Sequence, residues 1–222
     1  MNRMSLLTVL LPLSLGAAES LVVNGNFSQV DPTDARIPLG WERPDGLAVQ
    51  WTDGPDASGG KAIRMDTSLS EHDVVAQFTK VGLTQWVFPN PTGDAIAATY
   101  GLSLYSQAMP VIADTTYRIT VRYRGSGGAK VWVRGYGLKG GKERRLYESV
   151  GACPAAEKTW EEFTQEFNPT NHTPAVTTMK VMLFAYWPPG VSWFDDVRIE
   201  ALPLPLPLPL PLSLPKPKPS TP

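Results

Sequence analysis

Two adjacent aspartates, Asp195 and Asp196, interrupt the last apolar stretch of the sequence, WFDDVRIE. Paired carboxylates can cleave a glycosidic bond together, but only when both face one groove. Neighbouring residues of a strand point to opposite faces, so these two side chains cannot converge on one bond. The pattern instead predicts that Asp195 shares the core face with Val197 and Ile199. Asp196 is then expected to face outward, toward solvent or an arginine.

A carboxylate on a core face needs a partner, because an unpaired buried charge is costly. For Asp195 the residues leave three partners open: a salt bridge, a hydrogen bond to the N-terminal turn, or a hard cation. Ca²⁺ is such a cation, since it takes oxygen ligands. The sequence alone does not choose among these three.

Nucleophilic chemistry has little support in the sequence. Cys153 is the only cysteine, and a thiolate nucleophile needs a histidine partner. The two histidines, His72 and His172, lie in polar, loop-like segments. No phosphate-binding loop, GxSxG, HExxH or CxxC motif occurs. Cys153 is therefore predicted to be small, inert and partly buried.

Composition restricts the class of protein. The chain has 222 residues, 42% hydrophobic and 18% charged, with a formal net charge of −1. These values are typical of a globular domain. The near-zero charge argues against a nucleic-acid partner, which would require a basic surface. No Lys/Arg-rich run is present to hold an anionic membrane surface.

Alternation of apolar and polar residues dominates the middle of the chain and predicts many short strands. The expected fold class is all-β, an antiparallel β-sandwich. Residues 68–93 are polar and broken by prolines, which predicts a long loop with at most a helical turn near residues 73–78. The predicted strands are residues 21–23, 48–52, 62–66, 102–108, 117–124, 129–136, 146–150, 159–167, 179–186 and 191–199.

The two ends differ from the folded part, residues 19–200. Residues 1–18 contain an apolar run followed by small residues, the pattern of a signal peptide. The run is shorter than the ~20 residues of a membrane-spanning helix, so no transmembrane span is expected. The protein is therefore predicted to be secreted, periplasmic or on the cell surface.

Proline alternates along the C-terminal tail, residues 201–222, which predicts an extended polyproline-like spacer. Such a disordered, proline-rich tail could hold the folded part near a surface or a protein partner. A low-complexity repeat without any partner is equally open from the sequence.

Four motifs recur in a recognisable order: LVVNGNF, PLGW, LYSQAMPVIADTTYRITVRYR and WFDDVRIE. Together they resemble carbohydrate-binding modules of the family 4/9 type, over nearly all of the folded part. The resemblance implies a jelly-roll sandwich of galactose-binding-like type, with Trp41 of PLGW in its core. The loop at residues 68–93 is longer than in that family.

The same resemblance implies a structural Ca²⁺ where the first and last strands meet. Carried over to this sequence, its ligands are the carbonyls of Asn26 and Lys61 and the carboxylate of Asp195. Ser28 stands where the family often has an acidic residue. A hydroxyl carries no charge, so the affinity for Ca²⁺ should be lower here.

In the resembling family one sheet face forms the glycan cleft. Sugar C–H groups stack on aromatic rings, and sugar hydroxyls bind planar polar groups. Trp132, Arg134 and Tyr136 alternate along one strand and are expected to line the cleft, with Arg122 from a neighbouring strand. Trp86, in the long loop, is expected at the cleft edge. The alternative is that Trp132 is a core residue, because tryptophan is usually mostly buried.

The resemblance thus implies an exported protein that binds a polysaccharide or glycan without transforming it. A structural or adhesive sandwich of the cell envelope, without a glycan site, stays open. Full burial of Trp132, Tyr136 and Trp86 would favour it. A glycan-active hydrolase, or its accessory module, also stays open. A hydrolase would require two carboxylates facing each other about 5–9.5 Å apart across a groove.

Overall fold

The computed structural model describes residues 19–56, 60–126 and 128–203. The predicted signal peptide, residues 1–18, and residues 204–222 of the proline-rich tail lie outside the described residues. Export and tethering therefore stay predictions. In the described part of the chain, no helix has the length and apolar character needed to cross a bilayer.

The described residues form two antiparallel sheets, which confirms the predicted fold class. Sheet A has the strand order β1-β2-β10-β5-β8, and sheet B has the order β3-β9-β6-β7, with β4 pairing on β9. The strands are β1 (Val49–Asp53), β2 (Lys61–Asp66), β3 (Leu102–Tyr105), β4 (Met109–Pro110), β5 (Tyr117–Gly125), β6 (Ala129–Lys139), β7 (Lys142–Ala152), β8 (Ala156–Phe167), β9 (Thr178–Ala185) and β10 (Val191–Ala201).

The core lies between the two sheets and follows the alternation of the sequence. On β5, Tyr117, Ile119, Val121 and Tyr123 are all buried, as the YRITVRYR pattern predicts. Trp41 is buried and its ring packs against that of Phe27, with 4.9 Å between centroids. The core placement predicted for Trp41 is confirmed.

One predicted strand is wrong. Residues 21–23 form a bend and turn, not a strand. The backbone reverses directly afterwards, with Asn24 at φ 52°. Leu21 N donates to Ile199 O at 2.8 Å, but the chain then turns, so residues 21–23 do not continue as a strand beside β10.

The long loop predicted at residues 68–93 is also corrected, because it contains a helix, α1 (Glu71–Val81). Ser70 Oγ accepts from Asp73 N at the start, and Gly82 closes the end in a left-handed conformation. The helix buries only a short apolar stripe, which includes Val74 and Phe78. So short a stripe gives a weak helical period, although both capping residues are visible in the sequence.

A bulge in β10 decides where the two aspartates point. Asp195 pairs with Arg122 of β5, but Arg198 pairs with Thr120, so β10 holds one extra residue between them. Asp196 absorbs the irregularity with φ 47°. Phe194 and Val197 are consequently both buried, although they are three positions apart. The prediction that Asp195 shares the core face is therefore wrong: it lies beside Arg122 on the outer face of sheet A.

The N-terminal turn closes directly on this bulge. Val197 N donates to Gly25 O at 2.9 Å. A Cβ added at Gly25 would lie 1.8 Å from Val197 O, far inside van der Waals contact. Only glycine permits this approach, so Gly25 of the NGNF motif is needed for the turn to pack against the last strand.

We expect Gly25→Ala to destabilise the fold by about 2 kcal/mol or more, because the methyl group must push a buried backbone apart. Gly93→Ala is the matched control, since a Cβ there meets nothing within 4 Å. Chemical denaturation of both variants measures the difference. Equal midpoints for Gly25→Ala and the wild type would contradict the proposed contact.

Candidate functional site

The candidate site is the outer face of sheet B, the face turned away from the core. Trp132, Arg134 and Tyr136 of β6 lie on it and are half-buried, alternating with buried core residues such as Val133. Arg134 pairs in register with Lys180 of β9 and with Glu148 of β7. The structure therefore brings the three predicted β6 residues together on one face.

Arg134 is the centre of this face. Its Nε lies 2.9 Å from Glu148 Oε1, an ion pair without the alignment of a hydrogen bond. Its Nη1 donates to the hydroxyl of Tyr105. The guanidinium carbon lies 5.2 Å from the ring centroid of Trp132 and 5.6 Å from that of Tyr105. With partners on three sides, the guanidinium is held in place before any ligand arrives.

Trp86 meets the site through Tyr105. It ends a 3₁₀ turn, Thr84–Trp86, in the segment that follows α1. Its ring is nearly parallel to that of Tyr105, with 6.4 Å between centroids and 6° between planes. Trp86, the aromatic residue predicted at the cleft edge, thus lies beside Tyr105 and close to Arg134, because the segment after α1 folds back over β3.

Sequence reasoning missed three residues of this face: Tyr105, Glu148 and Arg145. Glu148 also lies 3.0 Å from Arg145 Nη1, so two arginines hold one carboxylate. Their signals were present in the sequence. In LSLY of β3, alternation places Tyr105 opposite the buried Leu104. The hairpin of β6 and β7 aligns Glu148 with Arg134.

Burial tunes the titratable groups of the face. It raises the pKa of Tyr105 and of Tyr136, so both phenols are neutral at physiological pH and can donate hydrogen bonds. It also raises the pKa of Glu42, whose Oε2 accepts from Tyr105 N at 3.3 Å. Neutral and charged hydrogen-bonding groups therefore lie beside aromatic rings.

Arg122 does not belong to this face. It lies on β5 in sheet A, and the core separates it from Trp132. Its guanidinium carbon is 4.9 Å from the ring centroid of Trp160. Its Nη1 is 3.6 Å from Asp195 Oδ2 and 3.4 Å from Asp196 Oδ2. The prediction that Arg122 lies beside the β6 residues is wrong. Although β5 and β6 are consecutive in the chain, they belong to different sheets.

The predicted calcium ligands lie near the bulge of β10. Burial raises the pKa of Asp195 to about 6, although Asp196 N donates to its Oδ1 and Arg122 lies nearby. The side chain of Asn26 accepts from Ser28 N at 3.3 Å. The side chain of Lys61 forms an ion pair with Asp53 at 2.7 Å. Their role as metal ligands stays a prediction.

No protein-family model and no curated protein matches the sequence. Solved structures do match. An arabinose-bound α-L-arabinofuranosidase is 14% identical with a TM-score of 0.51, over 83% of this chain and 26% of that one. A cyclase from Fischerella sp. TAU, in complex with 4-(1H-indol-3-yl)butan-2-one, is 16% identical with a TM-score of 0.50, over 84% of this chain and 98% of that one.

Carbohydrate-binding modules also match the structure. The CBM22-1 xylan-binding domain from Paenibacillus barcinonensis Xyn10C is 11% identical with a TM-score of 0.47, over 85% of this chain and 97% of that one. The fold of this chain follows from its own strand order, two antiparallel sheets packed as a jelly-roll sandwich. The chain spans about a quarter of the length of the arabinofuranosidase. At these identities the likenesses show a shared fold alone.

Cys153 is buried in the core, whereas the sequence predicted partial burial. Burial raises the pKa of its thiol to about 12. At pH 8 roughly one thiol in ten thousand is then ionised, too few for a nucleophile.

We expect the folded protein to resist a thiol-reactive dye at pH 8. The chain unfolded in guanidinium, as a control, should react with one equivalent. Rapid labelling of the folded protein would refute this environment.

Proposed function

We propose that the protein binds a polysaccharide or glycan on the outer face of sheet B, through Trp132, Arg134 and Tyr136. The observation that carries this proposal is the fixed guanidinium of Arg134 between aromatic rings on a half-exposed sheet face. Trp132, Tyr136 and Trp86 are all partly exposed, which favours a binding face over an adhesive sandwich without one. The jelly-roll fold is compatible with this role.

The chemistry of the face suits sugars. The ring of Trp132 offers a flat apolar surface for sugar C–H groups. The guanidinium of Arg134 has five N–H donors, and Tyr105 takes one of them in a hydrogen bond. The Nε is buried against Glu148, so the donors left for sugar hydroxyls are the other N–H groups of Nη1 and Nη2, together with the neutral hydroxyl of Tyr136. Because the existing contacts already order Arg134, little conformational entropy is lost on binding.

Binding without bond cleavage is part of the proposal. Arg134 and Arg145 both form ion pairs with Glu148, at 2.9 and 3.0 Å, so its carboxylate is already engaged on this face. A glycosidase needs two carboxyl groups free to act across a groove, and both arginines occupy the one that Glu148 offers. The signal-peptide pattern and the proline-rich tail support the further proposal that the protein is exported and held near a surface.

The test is a glycan array followed by calorimetry with the best polysaccharide. We expect Trp132→Ala to weaken binding at least tenfold, because the stacking surface is lost. Trp160→Ala is the matched control: Trp160 also lies against an arginine, but on sheet A. It should bind like the wild type. Arg134→Met should weaken binding as well, since it keeps the apolar stem and loses the donors.

Three outcomes would count against the proposal. No binding to any glycan by the folded wild type would remove the function. Loss of binding in Trp160→Ala, with Trp132→Ala unaffected, would move the site to sheet A. Release of reducing ends from a bound polysaccharide, abolished by Glu42→Gln or Glu148→Gln, would make the protein a hydrolase.

We also propose a structural Ca²⁺ at the bulge of β10, held by the carboxylate of Asp195 and the carbonyls of Asn26 and Lys61. One observation supports a cation there. The half-buried Asp195 carboxylate has a raised pKa, and its nearest cationic atom is 3.6 Å away, so its charge is poorly compensated. Bound Ca²⁺ would compensate that charge and tie the N-terminal turn to the last strand.

We expect 1 mM Ca²⁺ to raise the melting temperature relative to protein in EGTA, because a ligand that binds only the folded state stabilises it. The increase should disappear in Asp195→Asn and persist in Asp53→Asn, since Asp53 is an exposed carboxylate that pairs with the Lys61 side chain. Identical melting curves for the wild type in Ca²⁺ and in EGTA would remove the ion from the structure.

A further inference from the structure

A cavity of about 360 Å³ lies where α1 and the segment after it pack against the edge of β3. One wall is apolar and comes from Phe78 of α1 and from Leu83 and Trp86 of the segment that follows it. The opposite wall belongs to the sandwich and includes Val49 and Leu102. This volume lies within the ~300–1,000 Å³ range of small-molecule sites, so the cavity can enclose one ring with a short substituent.

The cavity has an aromatic rim. Phe88 is 38% exposed and packs against Tyr100, with 4.0 Å between ring centroids and 35° between planes. Both residues line the cavity. Exposed aromatic surface beside an apolar cavity is unfavourable in water, and it is typical of an entrance that a ligand covers.

Charged groups lie at the sandwich side of the cavity. Asp45 is satisfied, because its carboxylate accepts three backbone N–H groups at 2.7–2.8 Å. Arg43 is not: its Nη1 donates to Val81 O at 3.1 Å, but its buried Nε has no acceptor. Unfilled hydrogen-bonding capacity next to apolar walls is costly unless a ligand completes it.

We propose that this cavity binds a small aromatic carboxylate. Its ring would lie between the aromatic and aliphatic walls, and its carboxylate would face the guanidinium of Arg43. A guanidinium is always charged and prefers the planar, bidentate geometry of a carboxylate. A polysaccharide chain does not fit the enclosed volume, so this site is separate from the outer face of sheet B. Trp86 borders both.

Phenylacetate is the probe, titrated into the full protein and followed by ligand-observed NMR and calorimetry. We expect saturable binding to the wild type. Ser103→Phe should abolish it by filling the cavity, which Ser103 lines from β3. Gln85→Trp fills the cavity from an exposed position and serves if the first variant unfolds. Arg43→Met should weaken binding at least tenfold, because it removes the charge and keeps the stem.

Arg118→Met is the matched control, since Arg118 lies on sheet A and pairs with Glu166. It should bind phenylacetate like the wild type, and so should Trp132→Ala, which separates this site from the glycan face. Absence of saturable binding to the wild type, or unchanged binding in both filled variants, would overturn the site. Equal binding of phenylacetate by Arg43→Met, or equal affinity for cyclohexylacetate, would overturn the ligand class.

Discussion

The whole sandwich depends on how its last strand is inserted. β10 lies in the middle of sheet A, between β2 and β5, so the sheet is complete only when the C-terminal strand has arrived. Its position along the N-terminal turn is set by the contact of Gly25 with Val197, where no Cβ can be accommodated. The neighbouring bulge then lets Phe194 and Val197 both enter the core. The ends of the folded part are thereby held together, and everything else packs against this frame.

The bulge also explains the aspartate pair. In a regular strand one of the two carboxylates would enter the core at a high desolvation cost. The extra residue lowers this cost, because it turns both carboxylates toward Arg122, although Asp195 stays half-buried. The pair is thus a consequence of the strand's irregular geometry. The recognition chemistry that we propose lies on the other sheet, around Arg134.

The segment from α1 to β3 adds a cavity and an extra aromatic contact that the two sheets alone do not form. It covers the edge of β3, places Trp86 on Tyr105, and encloses the cavity beside Arg43. Trp86 therefore borders both the sheet face where we propose glycan binding and the cavity where we propose a small aromatic ligand. Because the segment packs mainly through a short apolar stripe, its own stability depends on the sandwich beneath it.

The alternation of apolar and polar residues was enough to predict most strands and the buried faces of β5 and β6. It also predicted that Trp132, Arg134 and Tyr136 share one face. Alternation along one strand is a property of the backbone, so the sequence determines it directly. Caps at Ser70 and Gly82 also marked α1, although its weak apolar period concealed the helix. Strand partners are different, because pairing joins residues far apart in the chain through packing and not through local preference. Only the tertiary structure decided that Arg122 lies across the core from Arg134, and that a bulge turns Asp195 away from the core.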